Sequence, residues 1–287
     1  MNEKILKKRK AKDFAIRSLM YLATGIILLL LLLLIGYIFF RGIPHISLDF
    51  LTSKPSLIND TIGILPNILN TLYIIAMTVI IALPLGVCSA VYLNEYARNK
   101  KVVGIIELAT ETLAGIPSII YGLVGMLIFV QFFPLGTSLA AGSLTLAIMT
   151  LPTVIRTVQE SLKTVPDSYR EGSLALGSGK WHMIKTVVLP SSIDGIVTGC
   201  ILSVGRIVGE SAALLFTAGM ANEIIGFLQA PKPNRAGSTL TVALYMYAKE
   251  RGEFDIAFAI AAILLILTLI INLTAKLAAK KLKKGGQ

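Results

Sequence analysis

Leu19–Phe40 reads LMYLATGIILLLLLLLIGYIFF, and no charged residue lies between Arg17 and Arg41. At about 1.5 Å per residue, a helix of this length matches the roughly 30 Å hydrocarbon core of a bilayer. The basic stretch before it and the leucine run Leu28–Leu34 imitate a secretory leader. The block is long enough to span, however, and ends in Phe39-Phe40-Arg41 without a small-x-small pattern, so it reads as a retained first helix. Composition points the same way. The 287 residues are 55% hydrophobic and 15% charged, with mean hydropathy +0.77, whereas soluble domains average roughly 25% charged residues. The expected fold class is an all-α membrane protein with about six transmembrane helices.

Working outward, further apolar blocks place spans at Asn67–Leu93, Val102–Phe133, Ser138–Ile155, Ile193–Phe216 and Asp255–Leu273. The third is too long for one crossing, and Gly115-Ile116-Pro117 is expected to break it, because proline removes a helical hydrogen bond. Lysine and arginine cluster before Leu19, around Arg98–Lys101, between Arg156 and Lys185, and after Leu273; few lie in the alternate connections. By the positive-inside bias both termini are expected to be cytoplasmic, which requires an even number of spans. The net charge of +11 is explained by this topology, leaving no need for a nucleic-acid partner. Cys88 and Cys200 fall in apolar stretches and read as small helix residues, and His45 and His182 are isolated, so no metal site is expected. On the outer side, Gly42–Leu65 and Thr217–Phe254 form polar segments, and Thr239–Lys249 has a helical spacing suited to lying along the surface. No internal repeat supports an inverted-repeat transporter.

The loop Gln159–Pro190 is the most informative. Pro166-Asp167-Ser168 starts a short helix, Ser168-x-x-Glu171 has the spacing of a capping box, and Gly177 can end the helix in a left-handed conformation. A helix so short is marginal alone in water, but held between two spans it offers a knob for a partner to grip. Glu171-Gly172-Ser173-x-x-x-Gly177, then nine residues, then Val187-x-Leu189-Pro190, resembles the EAA loop of type I ABC importer permeases. That loop reads E-A-A, three residues, Gly, nine residues, I-x-L-P. Gly172 and Ser173 replace the alanines and Val187 the isoleucine, keeping small or apolar character. Leu113–Gly122, Lys180-Trp181 and Gly205-Arg206-Ile-Val-Gly-Glu210-Ser-Ala-Ala213 look like the PstA-type subunit of phosphate importers, and the similarity runs from Thr61 onward.

The resemblance implies a division into 1–65 (basic N-terminus, first helix, external loop), 66–275 (permease core with the coupling loop at 159–190) and 276–287 (basic tail). It implies a membrane-spanning subunit of an inorganic phosphate importer in a bacterial or archaeal inner membrane, with a PstC-like second permease, two PstB-like ATPases and an external PstS-like phosphate-binding protein. Asp167, Ser168, Glu171, Gly172, Ser173 and Gly177 would dock into a groove on the ATPase. Gly177-Ser178-Gly179-Lys180 is no nucleotide loop, since G-x-x-x-x-G-K-[ST] is not met. ATP is thus expected to be used by the partner ATPase, with no cofactor on this chain and no enzymatic activity of its own. Related readings are a permease for sulfate, molybdate or an organic solute, or a stand-alone secondary transporter or channel.

Ionisable residues inside apolar blocks are costly and mark functional positions. Arg206 falls in the middle of the fifth block, with Glu210 four residues later, so both are expected to face the same side of the helix. The pair either satisfies itself and packs subunits, or Arg206 offers guanidinium donors to an oxyanion while Glu210 moderates the attraction. Arg156 is either a snorkelling arginine or a second contact on the anion path, the latter by resemblance to phosphate permeases. Glu107 and Glu111 share a face and need water or basic neighbours, for which Lys100 and Lys101 are nearby in sequence. Gly115, Gly122 and Gly125 are expected to permit close helix contact, Tyr121 to pack, and Trp181 to anchor the elbow at the membrane interface.

Overall fold

A computed structural model describes residues 3–55, 62–226 and 228–284. Parts of the expected external segments (56–61 and 227) and the last residues of the basic tail (285–287) lie outside them. Among the described residues every ordered element is helical. Helix α1 (Glu3–Gly42) and a 3₁₀ turn lead to α2 (Leu48–Thr52), and α3 (Leu65–Val91) ends in a π-helical turn, Tyr92–Tyr96. After it come α4 (Lys100–Ala114), α5 (Ser118–Gly125) with its π-helical extension Met126–Phe132, and α6 (Leu139–Lys163). An elbow then forms from α7 (Asp167–Ala175), α8 (Lys180–Met183), a π turn and α9 (Leu189–Ser191). The chain returns through α10 (Ile193–Val208), α11 (Ala212–Thr217), α12 (Leu240–Tyr245) and α13 (Phe254–Lys284).

Helices α1, α3, α6 and α13 each supply a stretch long and apolar enough to cross a membrane. Two bent pairs, α4 with α5 and its extension (98°) and Lys180–Ser191 with α10 (66°), bring the spans to six when each counts as one. The break in the third block falls at Gly115–Pro117, as proline chemistry requires. Pro117 has no N–H for the Leu113 carbonyl four residues back. Tyr121, one turn further on, donates its hydroxyl to that carbonyl at 2.9 Å, and the Ile116 N–H shares it. The phenol replaces the missing donor where an unsatisfied carbonyl would be expensive. Tyr121→Phe is therefore expected to lower stability by about 0.5–1.5 kcal/mol, visible as an earlier thermal transition of the purified protein.

Three expectations are corrected. The fourth span does not stop at Ile155 but runs on to Lys163, from an N-terminus where the Ser138 hydroxyl accepts the Ala141 N–H at 3.2 Å. The fifth is not one helix through Phe216: it ends at Val208, and α11 begins only at Ala212. Thr239–Lys249 does not lie along the outer surface. Leu240, Val242, Ala243 and Tyr247 are buried, most of them with Phe50, Ile64, Ala259 and Ile260. An apolar stripe at helical spacing fits a protein core as well as an interface, and here α3 and α13 cover it.

The core is the α3–α6 pair with α10 laid against it. Its middle holds Ile74, Leu146, Met149, Val204 and Leu214; its elbow end holds Ala90, Val154, Leu162, Met183 and Ile184. Lipid tails are as apolar as leucine, so close backbone approach does the holding. A Cβ on Gly122 would meet the Ala213 Cα at 2.7 Å, and one on Gly125 would collide with the Thr145 hydroxyl. Gly115 makes no such contact with another helix and serves the break instead.

Helix α1 stands apart. The apolar window of its span has no buried residue, and it meets α13 only at one end, through Arg41–Asp255 (3.1 Å) and the edge of Tyr37 on Phe258.

Candidate functional site

Three charged places distinguish the molecule, and the sequence anticipates each of them only in part. The first is the end of α10. Leu202, Gly205 and Gly209 are exposed and Arg206, half-buried, rises among them, opposite the buried Ser203, Val204, Ile207 and Val208. Arg206 therefore projects from the side of the helix that the rest of the chain leaves open. No carboxylate lies within ion-pair distance of it among the described residues.

The expected Arg206–Glu210 pair on one helix face does not form. Gly209 ends α10, and Glu210, only 9% exposed, turns inward beyond it. Its carboxylate accepts the Ala213 N–H at 3.0 Å, capping α11, and its carbonyl accepts the Thr241 hydroxyl at 2.8 Å. A capping carboxylate at the positive end of a helix is well placed electrostatically. Glu210 thus fastens the break after α10 to α11 and α12.

The second place is a cleft of about 150 Å³ between α4 and α6. Arg156 pairs with Glu111 at 3.0 Å and Glu160 at 3.1 Å, and Lys163 with Glu107 at 3.2 Å. The basic partners of Glu107 and Glu111 thus come from α6, not from Lys100 and Lys101. Helix periodicity cannot reveal this, since α4 and α6 are brought together by the tertiary fold. These side chains are mostly well exposed, so each pair contributes at most about 1 kcal/mol. Three carboxylates face two cations, and Arg156 already serves two of them.

The third place is the elbow. Helix α7 begins after Pro166, with no side-chain cap, so Ser168 sits inside the first turn and the expected capping box with Glu171 does not form. Pro166 occupies the boundary position, its ring fixing φ at −59° while ψ is extended at 139°. The other end agrees with expectation. Gly177 is left-handed (φ +82°), the Ser178 N–H reaches the Ser173 carbonyl at 3.3 Å, and the Gly177 N–H reaches Leu174 at 3.0 Å. This is the Schellman arrangement. Ser173 also meets Ser178 through their hydroxyls at 2.7 Å. Along α7 only Arg170 and Ser173 turn partly inward; Asp167, Ser168, Glu171 and Gly172 are exposed. Large apolar groups are bare here: Tyr169, Leu174, Trp181 and Leu176, the last 91% exposed.

Sequence reasoning misses one residue of the elbow, Arg170, counted there only as a loop charge. Its guanidinium makes five hydrogen bonds, one for each N–H: two to Glu95 (3.2 and 3.0 Å), one to Asp167 (3.0 Å), and two to the carbonyls of Val165 (2.6 Å) and Leu162 (2.8 Å). The side chains of Arg170 and Glu95 are only 14% and 5% exposed.

Residues 82–284 match the family described as the binding-protein-dependent transport system inner membrane component. The Probable ABC transporter permease protein YqgI of Bacillus subtilis (strain 168) is 37% identical over 280 residues, covering 93% of this chain and 95% of that one. The phosphate transport system permease protein PstA of Haemophilus influenzae is 31% identical over 271 residues, 94% of each chain. Among solved structures, a bacterial ABC transporter involved in the import of alginate superposes with TM-score 0.66 over 95% of this chain and 99% of that one. The two share 15% sequence identity, so that likeness concerns the fold alone.

Proposed function

We propose, from the premise that this chain belongs to the family of binding-protein-dependent transport system inner membrane components, that it is the PstA-type permease subunit of an inorganic phosphate importer. The chain is a type I ABC importer permease, a multi-pass protein of the inner membrane, and the finer reading concerns cargo, partners and orientation. In that reading it pairs with a second, PstC-like permease and receives phosphate from an external PstS-like binding protein. Two PstB-like ATPases drive it; ATP is hydrolysed there and not on this chain. The termini and the elbow face the cytoplasm.

The observation that carries the phosphate reading is Arg206 on the open side of α10, without a carboxylate partner among the described residues. A guanidinium held so in a membrane helix costs about 2.5–3.5 kcal/mol on insertion scales, and it suits a tetrahedral oxyanion through paired N–H donors. An importer must also release its cargo. Arg206 lies in the last turn of α10, so the helix's partly unpaired carbonyls temper its charge, a role Glu210 was expected to fill. Arg156, engaged by two glutamates, has fewer donors to offer and is assigned to the α4–α6 contact.

The elbow supports the coupling part of the reading: a short helix closed by Gly177, mostly exposed, with bare apolar groups at its end. Glu171→Ala and Gly177→Val are expected to lower the amount of ATPase recovered with the tagged permease severalfold in a pull-down. The left-handed position costs a side chain about 1–2 kcal/mol. Recovery equal to wild type would count against docking at α7. The reading as a whole is tested by purifying the complex in detergent, identifying the subunits that come with it, and measuring phosphate-stimulated ATP hydrolysis. Stimulation by sulfate or molybdate in its place would change the cargo.

A further inference from the structure

Glu95 and Arg170 join the elbow to the body in a way that the docking role of α7 does not require. All five N–H groups of the guanidinium are engaged, and together they reach four parts of the surroundings: the turn after α3 (Glu95, which takes two), the end of α6 (Leu162), the link between α6 and α7 (Val165), and α7 itself (Asp167). A second hold comes from beyond α7. Lys180 donates to the Glu95 carbonyl and lies over the Tyr96 ring at 4.9 Å. One residue, Glu95, thus grips the elbow on both sides of α7, by side chain and by backbone. A planar fork with every donor satisfied resists rotation, so α7 cannot tilt without carrying the Tyr92–Tyr96 turn with it.

That turn is the continuation of α3, whose 27 residues extend about 40 Å. The far end of α3 is fastened just as specifically. Asn67 and Asn70 each donate to the Ser238 carbonyl at 3.2 Å, and the Thr71 hydroxyl accepts the Leu240 N–H at 2.9 Å. Leu240 opens α12, from which Thr241 reaches the Glu210 carbonyl at 2.8 Å, beside the end of α10 that carries Arg206. Polar contacts at both ends of one long helix connect the elbow to the break next to Arg206.

We infer that Glu95 and Arg170 are positioning residues that deliver the motion of α7 through α3 to the end of α10, coupling ATP use to cargo movement. This rests on the function proposed above. The ion pair is a joint, separate from the exposed face of α7 that an ATPase would grip. Rigid elements joined by specific contacts are the material from which such transmission is built.

The test uses Glu95→Gln, Arg170→Lys and, at the far end, Thr241→Val. In the intact complex all three are expected to retain the ATPase in a pull-down and to go on hydrolysing ATP, while phosphate taken up per ATP falls at least tenfold. In the purified chain without partners, amide exchange over 168–176 is expected to quicken about tenfold in the first two variants and to stay unchanged in Thr241→Val. Normal uptake per ATP in Glu95→Gln and Arg170→Lys would overturn the inference. So would unchanged exchange over 168–176, or loss of the ATPase from the variants alone, which would reduce the pair to shaping the dock. If wild type recruits no ATPase, it is the proposed function that fails, while the exchange data still judge the joint.

Discussion

Replacing Arg206 by alanine is expected to cut phosphate uptake by about a hundredfold or more while leaving the complex assembled. Hydrogen bonds to charged groups are worth about 1.5–3 kcal/mol each, and a forked contact with an oxyanion uses two. Losing about 3 kcal/mol corresponds to roughly a hundredfold, since about 1.4 kcal/mol is tenfold. The sign of the stability change separates this from misfolding. Arg206 makes no ion pair among the described residues, and arginine is unfavourable in a membrane helix, so the alanine protein should be at least as stable as wild type. Arg206→Lys, which keeps charge but loses the fork, should fall between the two. Uptake assays in membrane vesicles and thermal melts of the purified complex measure both sides. Wild-type uptake by the alanine variant would remove Arg206 from the path.

Gly125→Val is expected to prevent recovery of folded protein. A Cβ there would overlap the Thr145 hydroxyl and lie 2.6 Å from its Cγ2. Thr145 cannot swing aside freely, because it is buried and donates to the Ala141 carbonyl at 2.8 Å. Valine adds two further carbons beyond the Cβ. Overpacking typically costs about 1–3 kcal/mol and more where neighbours are fixed. In a membrane bundle the small residue is itself what lets α5 approach α6. Gly172→Ala is the matched control: nothing lies within 4 Å of its Cβ position, and alanine favours the helix by about 0.5–1 kcal/mol. Size-exclusion profiles and thermal transitions of the two variants should therefore move in opposite directions. A normal profile for Gly125→Val would mean that α5 and α6 do not pack as described.

What the sequence makes legible is what local chemistry decides. Apolar length sets the spans, Pro117 sets the break before α5, and Gly177 sets the end of α7, each through a property of the residue itself. The rest depends on partners far along the chain. The end of α10 at Val208 falls at Gly209, which nothing local sets apart from Gly195, Gly199 and Gly205 in the same block; what fixes it there is Glu210 meeting Ala213 and Thr241. Arg156 looks like a lone arginine until α4 brings Glu111 to it. Arg170 and Glu95 are 75 residues apart and neither lies in an apolar run, so no pattern pairs them. Tyr121 is the instructive intermediate case. Its spacing from Pro117 and Leu113 is visible, but the hydroxyl's task appears only once the backbone is bent.

Leu176 and Trp181, bare at the elbow, carry a consequence for the cell. A subunit synthesised in excess of its companions would hold these side chains in water with nothing over them, and would stick to its neighbours or be degraded. Abundance in the membrane should then be set by whichever component is scarcest.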